Sequence, residues 1–268
     1  MKLVRKLPDW LIYAVILGLI LINMFGNEKP ADTPPPPVLG PALPNATPAD
    51  PRVIVKIKPA QNGIGTAFAV DDNGTWLTAK HVVAGCKKVG LMLNRNKIVR
   101  VDVKKISGNT DTALLVSQWH RPPLVPDYSQ TRKIGEYGFF IGFPQGKPGE
   151  AAGSLLGRRR MVVSGRYRSN ESILAWSEIG RSSNIVGSLG GISGGPVFDK
   201  DGEVIGLVSA ENVKRGRVYT VAPASLARIL PNPDTDTRPE PMTLSNYGRR
   251  ADRLRRTRQV AQVYCLVK

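Results

Sequence analysis

From residue 52 onward, hydrophobic positions fall in short runs separated by turn-forming residues, the signature of β-strands joined by loops. "VIVKIK", residues 53–58, alternates apolar and polar positions with period two. "GTAFAV" and "WLTA" flank "DDNG" and so predict a hairpin. The runs "VGLMLN", "KIVRVDVKKI", "TALLVSQW", "EYGFFIGF", "RMVVSGRY", "ILAWSEI", "PVFD-KDG-EVIGLVSA" and "GRVYTVA" follow in the same manner. This many short strands, with no long helix among them, predict an all-β barrel or sandwich, with room for two barrels. "ASLARIL", residues 224–230, predicts a short closing helix.

The two ends of the chain depart from this pattern. Residues 10–26 form a 17-residue run, apolar apart from Asn23, after Lys2, Arg5 and Lys6. That length sits at the short end of the roughly 17–25 residues that span a bilayer and above the roughly 7–15 of a signal-peptide core. With no A-x-A site directly after it, the run reads as an uncleaved transmembrane signal anchor rather than a removed signal. The basic flank places residues 1–9 in the cytoplasm and the body outside it, on the periplasmic or extracellular side. Residues 27–51, "NEKPADTPPPPVLGPALPNATPADP", form an extended proline-rich linker. The folded body is expected over 52–231. Residues 232–268 begin rich in Pro, Asp and Thr and end basic and then apolar, a tail whose last part suits either a helix or an added strand.

Composition narrows the function. The chain of 268 residues carries a formal net charge of +17, yet residues 52–232 hold 26 Lys/Arg against 13 Asp/Glu with no nucleic-acid-binding motif. A solvated basic surface accounts for this better than nucleic acid as the main partner. There are two cysteines, Cys86 and Cys265, and no CxxC or His/Cys cluster, so no metal site is expected. Their parity leaves a long-range disulfide or two buried thiols open.

Candidate chemistry is concentrated at three places. "GGISGGPVFD" surrounds Ser193 with Gly190, Gly191, Gly194 and Gly195, more glycine than a plain turn needs and suited to close backbone approach. Of the two histidines, His81 in "TWLTAKHVV" ends an apolar strand, whereas His120 in "SQWHRPP" has no acidic neighbour and reads as a surface residue. Asp111 in "NTDTALLV" precedes an apolar strand, a position also common for turn or cap residues.

Taken together, "TAKHVV", "DTALL" and "GISGGPVFD" followed by "GEVIGLVSA" resemble the His, Asp and Ser motifs of the chymotrypsin-like (trypsin-like) serine proteases. The compact bacterial DegP/HtrA branch is the most similar. The resemblance covers roughly residues 52–230 in the order His, Asp, Ser. It implies two packed six-stranded antiparallel β-barrels and a serine endopeptidase without cofactor, acting on protein or peptide substrates, which the run at residues 10–26 would anchor in the membrane. The catalytic residues it implies are His81, Asp111 and Ser193, with Gly191 and Ser193 N–H groups as oxyanion hole. A serine hydroxyl needs such a neighbouring base, and the developing oxyanion such donors. It further implies Gly187 at the base of the S1 pocket and Ser209, Ala210 and Glu211 as the substrate-pairing strand, which suits a small or medium apolar P1 residue. Ile192 precedes the serine where digestive relatives carry an aspartate, so activation by N-terminal cleavage is not expected. The remaining length predicts no PDZ domain. The alternative reading is a catalytically silent module of the same fold that binds or scaffolds.

Overall fold

The computed structural model describes residues 10–11, 13–18, 37–94, 97–129, 131–230 and 238–268. Residues 10–11 and 13–18 are helical, and most of the expected anchor and linker lies outside the described residues. Among the described residues no helix is long and apolar enough to cross a membrane.

Thirteen strands are described in the body: β1 Arg52–Ile57, β2 Gly63–Ala69, β3 Thr75–Thr78, β4 Lys88–Asn94, β5 Lys97–Ile106, β6 Ala113–Val116, β7 Tyr137–Gly142, β8 Gly149–Gly165, β9 Ser169–Arg181, β10 Pro196–Phe198, β11 Val204–Asn212, β12 Arg217–Val221 and β13 Val260–Leu266. Three short helices accompany them: α1 Lys80–Val83, α2 Pro223–Ala227 and α3 Tyr247–Arg256. The hairpin expected around "DDNG" is β2–β3, paired Ala67 to Thr78 and Ala69 to Trp76. The closing helix is α2.

Six strands close a barrel in the order β13-β2-β3-β6-β5-β4. Its interior is filled by fully buried side chains including Trp76, Leu77, Leu91, Leu115 and Val263. The other half is a seven-stranded sheet ordered β1-β8-β7-β10-β11-β12-β9, in which β8 also pairs with β9. Phe140 meets Trp176 edge-on there, with ring centroids 5.8 Å apart.

Two features depart from or complete the expectation of two six-stranded antiparallel barrels. First, β1 runs parallel to β8, from Arg52 opposite Arg160 to Ile57 opposite Gly165. Its period-two pattern is satisfied because Val53, Val55 and Ile57 pack on Met161, Val163 and Ile173 while Arg52, Ile54 and Lys56 face out. Second, the basic tail forms both a helix and a strand. β13 pairs with β2 on one side and β4 on the other, so the first barrel is closed by the C-terminus. Without it, β2 and β4 would each present unpaired N–H and C=O groups along a long edge.

The tail is held at two further points. Arg255 of α3 is buried and donates to the Gly149 carbonyl at 3.0 Å while pairing with Glu150 at 2.7 Å, which fixes the helix to β8. Cys265 is disulfide-bonded to Cys86, just past α1, with Cα atoms 5.4 Å apart and a sequence separation of 179. The bridge left open by the sequence is therefore formed. A cross-link over so long a loop restricts the unfolded chain strongly, and its loss typically costs about 2–5 kcal/mol. Cys265→Ser is expected to lower stability by about that amount in denaturant titration, and truncation after Leu230 is expected to abolish cooperative unfolding altogether.

Candidate active site

Asp111 lies two residues before β6 and is almost wholly buried. A buried carboxylate is tolerated only when its lone pairs are met by donors, and four donors meet this one. The backbone N–H of His81 donates at 3.0 Å and its Nδ1 at 2.8 Å, both from α1 in the first barrel. The Tyr167 hydroxyl donates at 3.0 Å and the Ser209 hydroxyl completes the set, both from the second sheet. Because a carboxylate only accepts, the imidazole proton lies on Nδ1, leaving Nε2 as the basic nitrogen.

Burial works against the charged form of His81, but the charge and hydrogen bond of Asp111 outweigh it, and the imidazole titrates above its ordinary range. Arg166, whose Nη2 donates to the His81 carbonyl at 2.6 Å, opposes that shift in part. Asp111 is driven the other way: burial raises its pKa, but His81 and the donated hydrogen bonds win and lower it.

Ser193, His81 and Gly191 line one cavity of about 260 Å³. The Ser193 loop spans the two halves: Thr66 N–H of β2 donates to the Ser193 carbonyl at 2.8 Å, and Gly194 N–H donates to Val208 of β11 at 2.8 Å. Thr66 Oγ1 donates to the Gly191 carbonyl at 2.9 Å and accepts from Phe143 N–H at 3.1 Å. Gln145 N–H binds the Gly190 carbonyl at 2.5 Å. With these carbonyls tied back, the N–H groups of Gly191 and Ser193 have no acceptor among the described residues. The glycines are required rather than merely permitted. Gly191 has φ +102, and a Cβ there would lie 2.6 Å from the Phe143 carbonyl oxygen; Gly194 has φ +86 and would meet the Thr66 carbonyl at 2.2 Å.

The other residues named from the sequence have distinct placements. Ser209 is buried and its hydroxyl is spent on Asp111, so it does not offer a side chain to a substrate. Ser209 and Ala210 line a second cavity of about 100 Å³ with His81, Asp111, Val55 and Met161. Glu211 accepts from Leu189 N–H at 2.8 Å and from the Ser188 hydroxyl, tying down the approach to the Ser193 loop. Gly187, with φ +78, accepts from Arg181 at 2.6 Å and lines neither cavity. His120 is apart, bonded to the Asp72 carbonyl at 2.8 Å.

Three supporting residues escaped the sequence reading: Thr66, Tyr167 and Glu171. Tyr167 ends the run "RMVVSGRY" that predicts a strand, and the structure places it instead in the turn between β8 and β9. Glu171 is buried beneath Asp111 and accepts from its N–H at 2.7 Å, while its other oxygen has no partner among the described residues. Burial and then the Asp111 charge push its carboxyl up to about 8. Lys80, buried beside them, donates to the Ser107 carbonyl at 2.8 Å and lies 4.2 Å from the centre of the Tyr167 ring.

A family model described as the trypsin-like peptidase domain matches residues 65–207, more than half of the chain. The chain is 29% identical over 147 residues to a probable periplasmic serine endoprotease, DegP-like, of Pseudomonas fulva, covering 54% of this chain and 29% of that protein. It is 28% identical over 155 residues to the putative serine protease HhoB of Synechocystis, covering 57% of this chain and 35% of that protein. The chain thus spans about a third of the length of these relatives. Among solved structures, the active form of the Rv3671c protease from M. tuberculosis superimposes with a TM-score of 0.53 at 20% identity, over 76% of this chain and 96% of that one. That likeness establishes the fold as chymotrypsin-like.

A carboxyl whose folded pKa exceeds its unfolded value stabilises most below the unfolded pKa and loses that contribution as pH rises through the folded one. For Glu171 the window runs from about 4.5 to about 8. Glu171→Gln keeps an acceptor for the Asp111 N–H and cannot ionise. Its melting temperature relative to wild type is expected to rise steadily across that window and level off above it, as read by calorimetry in a pH series.

Proposed function

The chain belongs to the trypsin-like peptidase family, and from that premise we propose that it is a serine endopeptidase working through an acyl-enzyme, with Ser193 as nucleophile, His81 as base and then acid, and Asp111 as the group that orients and stabilises the imidazole. The observation that carries this reading is the 2.8 Å contact between His81 Nδ1 and buried Asp111, on a histidine that lines the same cavity as Ser193.

In this mechanism His81 Nε2 takes the Ser193 hydroxyl proton as Oγ attacks the substrate carbonyl carbon. The negative charge moves to the carbonyl oxygen, where the Gly191 and Ser193 N–H groups receive it. Collapse of the tetrahedral intermediate breaks the C–N bond, and the amine leaves with the proton from the imidazolium. Water then repeats the sequence against the ester, with His81 again as base. The acyl half of the substrate pairs with the β11 edge at Ser209–Glu211. Gly187 forms the floor for a small or medium apolar P1 side chain.

The pairing of β8 with both β7 and β9 supports reading the sheet as a second six-stranded barrel with β1 added outside it. The apolar run 10–26 behind basic residues supports a membrane anchor with the protease body outside the cytoplasm. The periplasmic designation of the DegP-like relative points to the same side.

A fluorophosphonate probe is expected to label the full chain and to label Ser193→Ala not at all; a folded wild-type protein that resists the probe would favour a silent module. Gly191→Ala is expected to reduce kcat by at least about 100-fold, since it displaces an oxyanion donor. Because the base must be neutral and His81 titrates above 6.5, activity falls as pH drops through that raised pKa. The acid limb of kcat/KM is therefore expected above pH 6.5, and a limb at or below it would contradict the Asp111 coupling.

A further inference from the structure

The cavity holding Ser193 and His81 has a strongly one-sided charge. Besides His81, its charged lining residues are Lys58, just beyond β1, and Arg166, at the β8–β9 hairpin tip. A wider recess of about 960 Å³ shares Ile57, Lys58, Pro59 and Arg166 with it and adds Lys56. No Asp or Glu lines either depression. Among the described residues none of these three cations makes an ion pair.

Arg166 is held in place rather than left to wander. Its Nη2 donates to the His81 carbonyl, and its backbone N–H donates to the Ile57 carbonyl at 3.3 Å where β1 ends. Its Nε is buried with no acceptor among the described residues. The parallel docking of β1 on β8 is therefore what carries Lys56 and Lys58 to the mouth of the site. The side of the scissile bond follows from the neighbours. The cavity is walled by Gly63 and Ile64 of β2 and by Gly191. The β11 residues Ser209 and Ala210 do not line it; they line the second cavity instead, with Asp111.

We propose that this basic recess is a subsite for acidic side chains on the leaving-group half of the substrate, so that the protein selects peptides with Asp or Glu within the first three residues after the cut. The inference rests on the peptidase reading above. Unpaired cations lower the free energy of a carboxylate that arrives between them, and the net charge of +17 draws acidic chains toward the protein. Exposed pairs of this kind are individually modest and weaken with salt.

The test is digestion of a synthetic peptide library by the full chain, with cut sites read by mass spectrometry and fluorophosphonate labelling of Ser193 measured on the same sample. Asp and Glu are expected to be enriched roughly threefold or more over the library background at those positions. The enrichment is expected to fall toward unity in 0.5 M NaCl, at about that concentration of added salt, and in Lys58→Glu. A labelled Ser193 with unbiased cut sites, or a bias that survives Lys58→Glu, overturns the subsite and leaves the peptidase reading standing. If wild type is neither labelled nor active, the peptidase reading fails and the subsite is judged by binding to Ser193→Ala. A fluorescent Glu-rich peptide should then bind more tightly than its Gln counterpart, and less tightly to the Lys58→Glu form. Equal binding of the two peptides, or binding of polyphosphate but not of the Glu-rich peptide, overturns the proposal.

Discussion

The buried carboxylate of Asp111 is the interaction on which the arrangement depends. Removing such a charge from water is costly unless donors replace its hydration, and here the donors come from both halves of the molecule. His81 reaches it from the first barrel, Tyr167 and Ser209 from the second sheet. The requirement for satisfaction thus acts as a clamp. Separating the halves would take the Tyr167 and Ser209 donors away from this carboxylate, so the alignment of the histidine and the docking of the two halves draw on the same group.

The remainder of the architecture protects that clamp. The long β8–β9 hairpin delivers Tyr167 and Arg166 to its tip, and β1 braces the hairpin by parallel pairing along its outer strand. At the other end of the chain, α3 is pinned to β8 through Arg255 before β13 enters the first barrel. Each terminus of the body therefore ties one half to the other or closes it. The disulfide from β13 to the segment after α1 adds a covalent tie a few residues from His81. The Ser193 loop completes the set, held by Thr66 on one side and Val208 on the other.

How much of this the sequence discloses depends on the range of the interaction. Strand positions and the β2–β3 hairpin are local, written in alternation and in turn residues, and they read directly. His81, Asp111 and Ser193 are legible because each lies in a short motif at a strand end. Alternation along β1 predicts which face is inward but not which strand it meets, and a parallel partner more than a hundred residues away leaves no local mark. The same holds for β13, whose partners β2 and β4 lie at the opposite end of the chain. Tyr167 and Glu171 acquire meaning only once the hairpin is folded over Asp111. Ser209 enters the reading through the resemblance, as part of the substrate-pairing strand, whereas the bond from its hydroxyl to Asp111 joins residues 98 apart and leaves no local mark.

The most direct measurement of the account is nitrogen NMR of the imidazole rings, made tractable by the presence of two histidines, His81 and His120. If Asp111 orients the base as described, neutral His81 carries its proton on Nδ1 and shows an unprotonated Nε2, and Asp111→Asn disturbs that preference. A neutral His81 protonated on Nε2 in the wild-type protein, or a tautomer indifferent to Asp111→Asn, would contradict the central role given to the buried carboxylate.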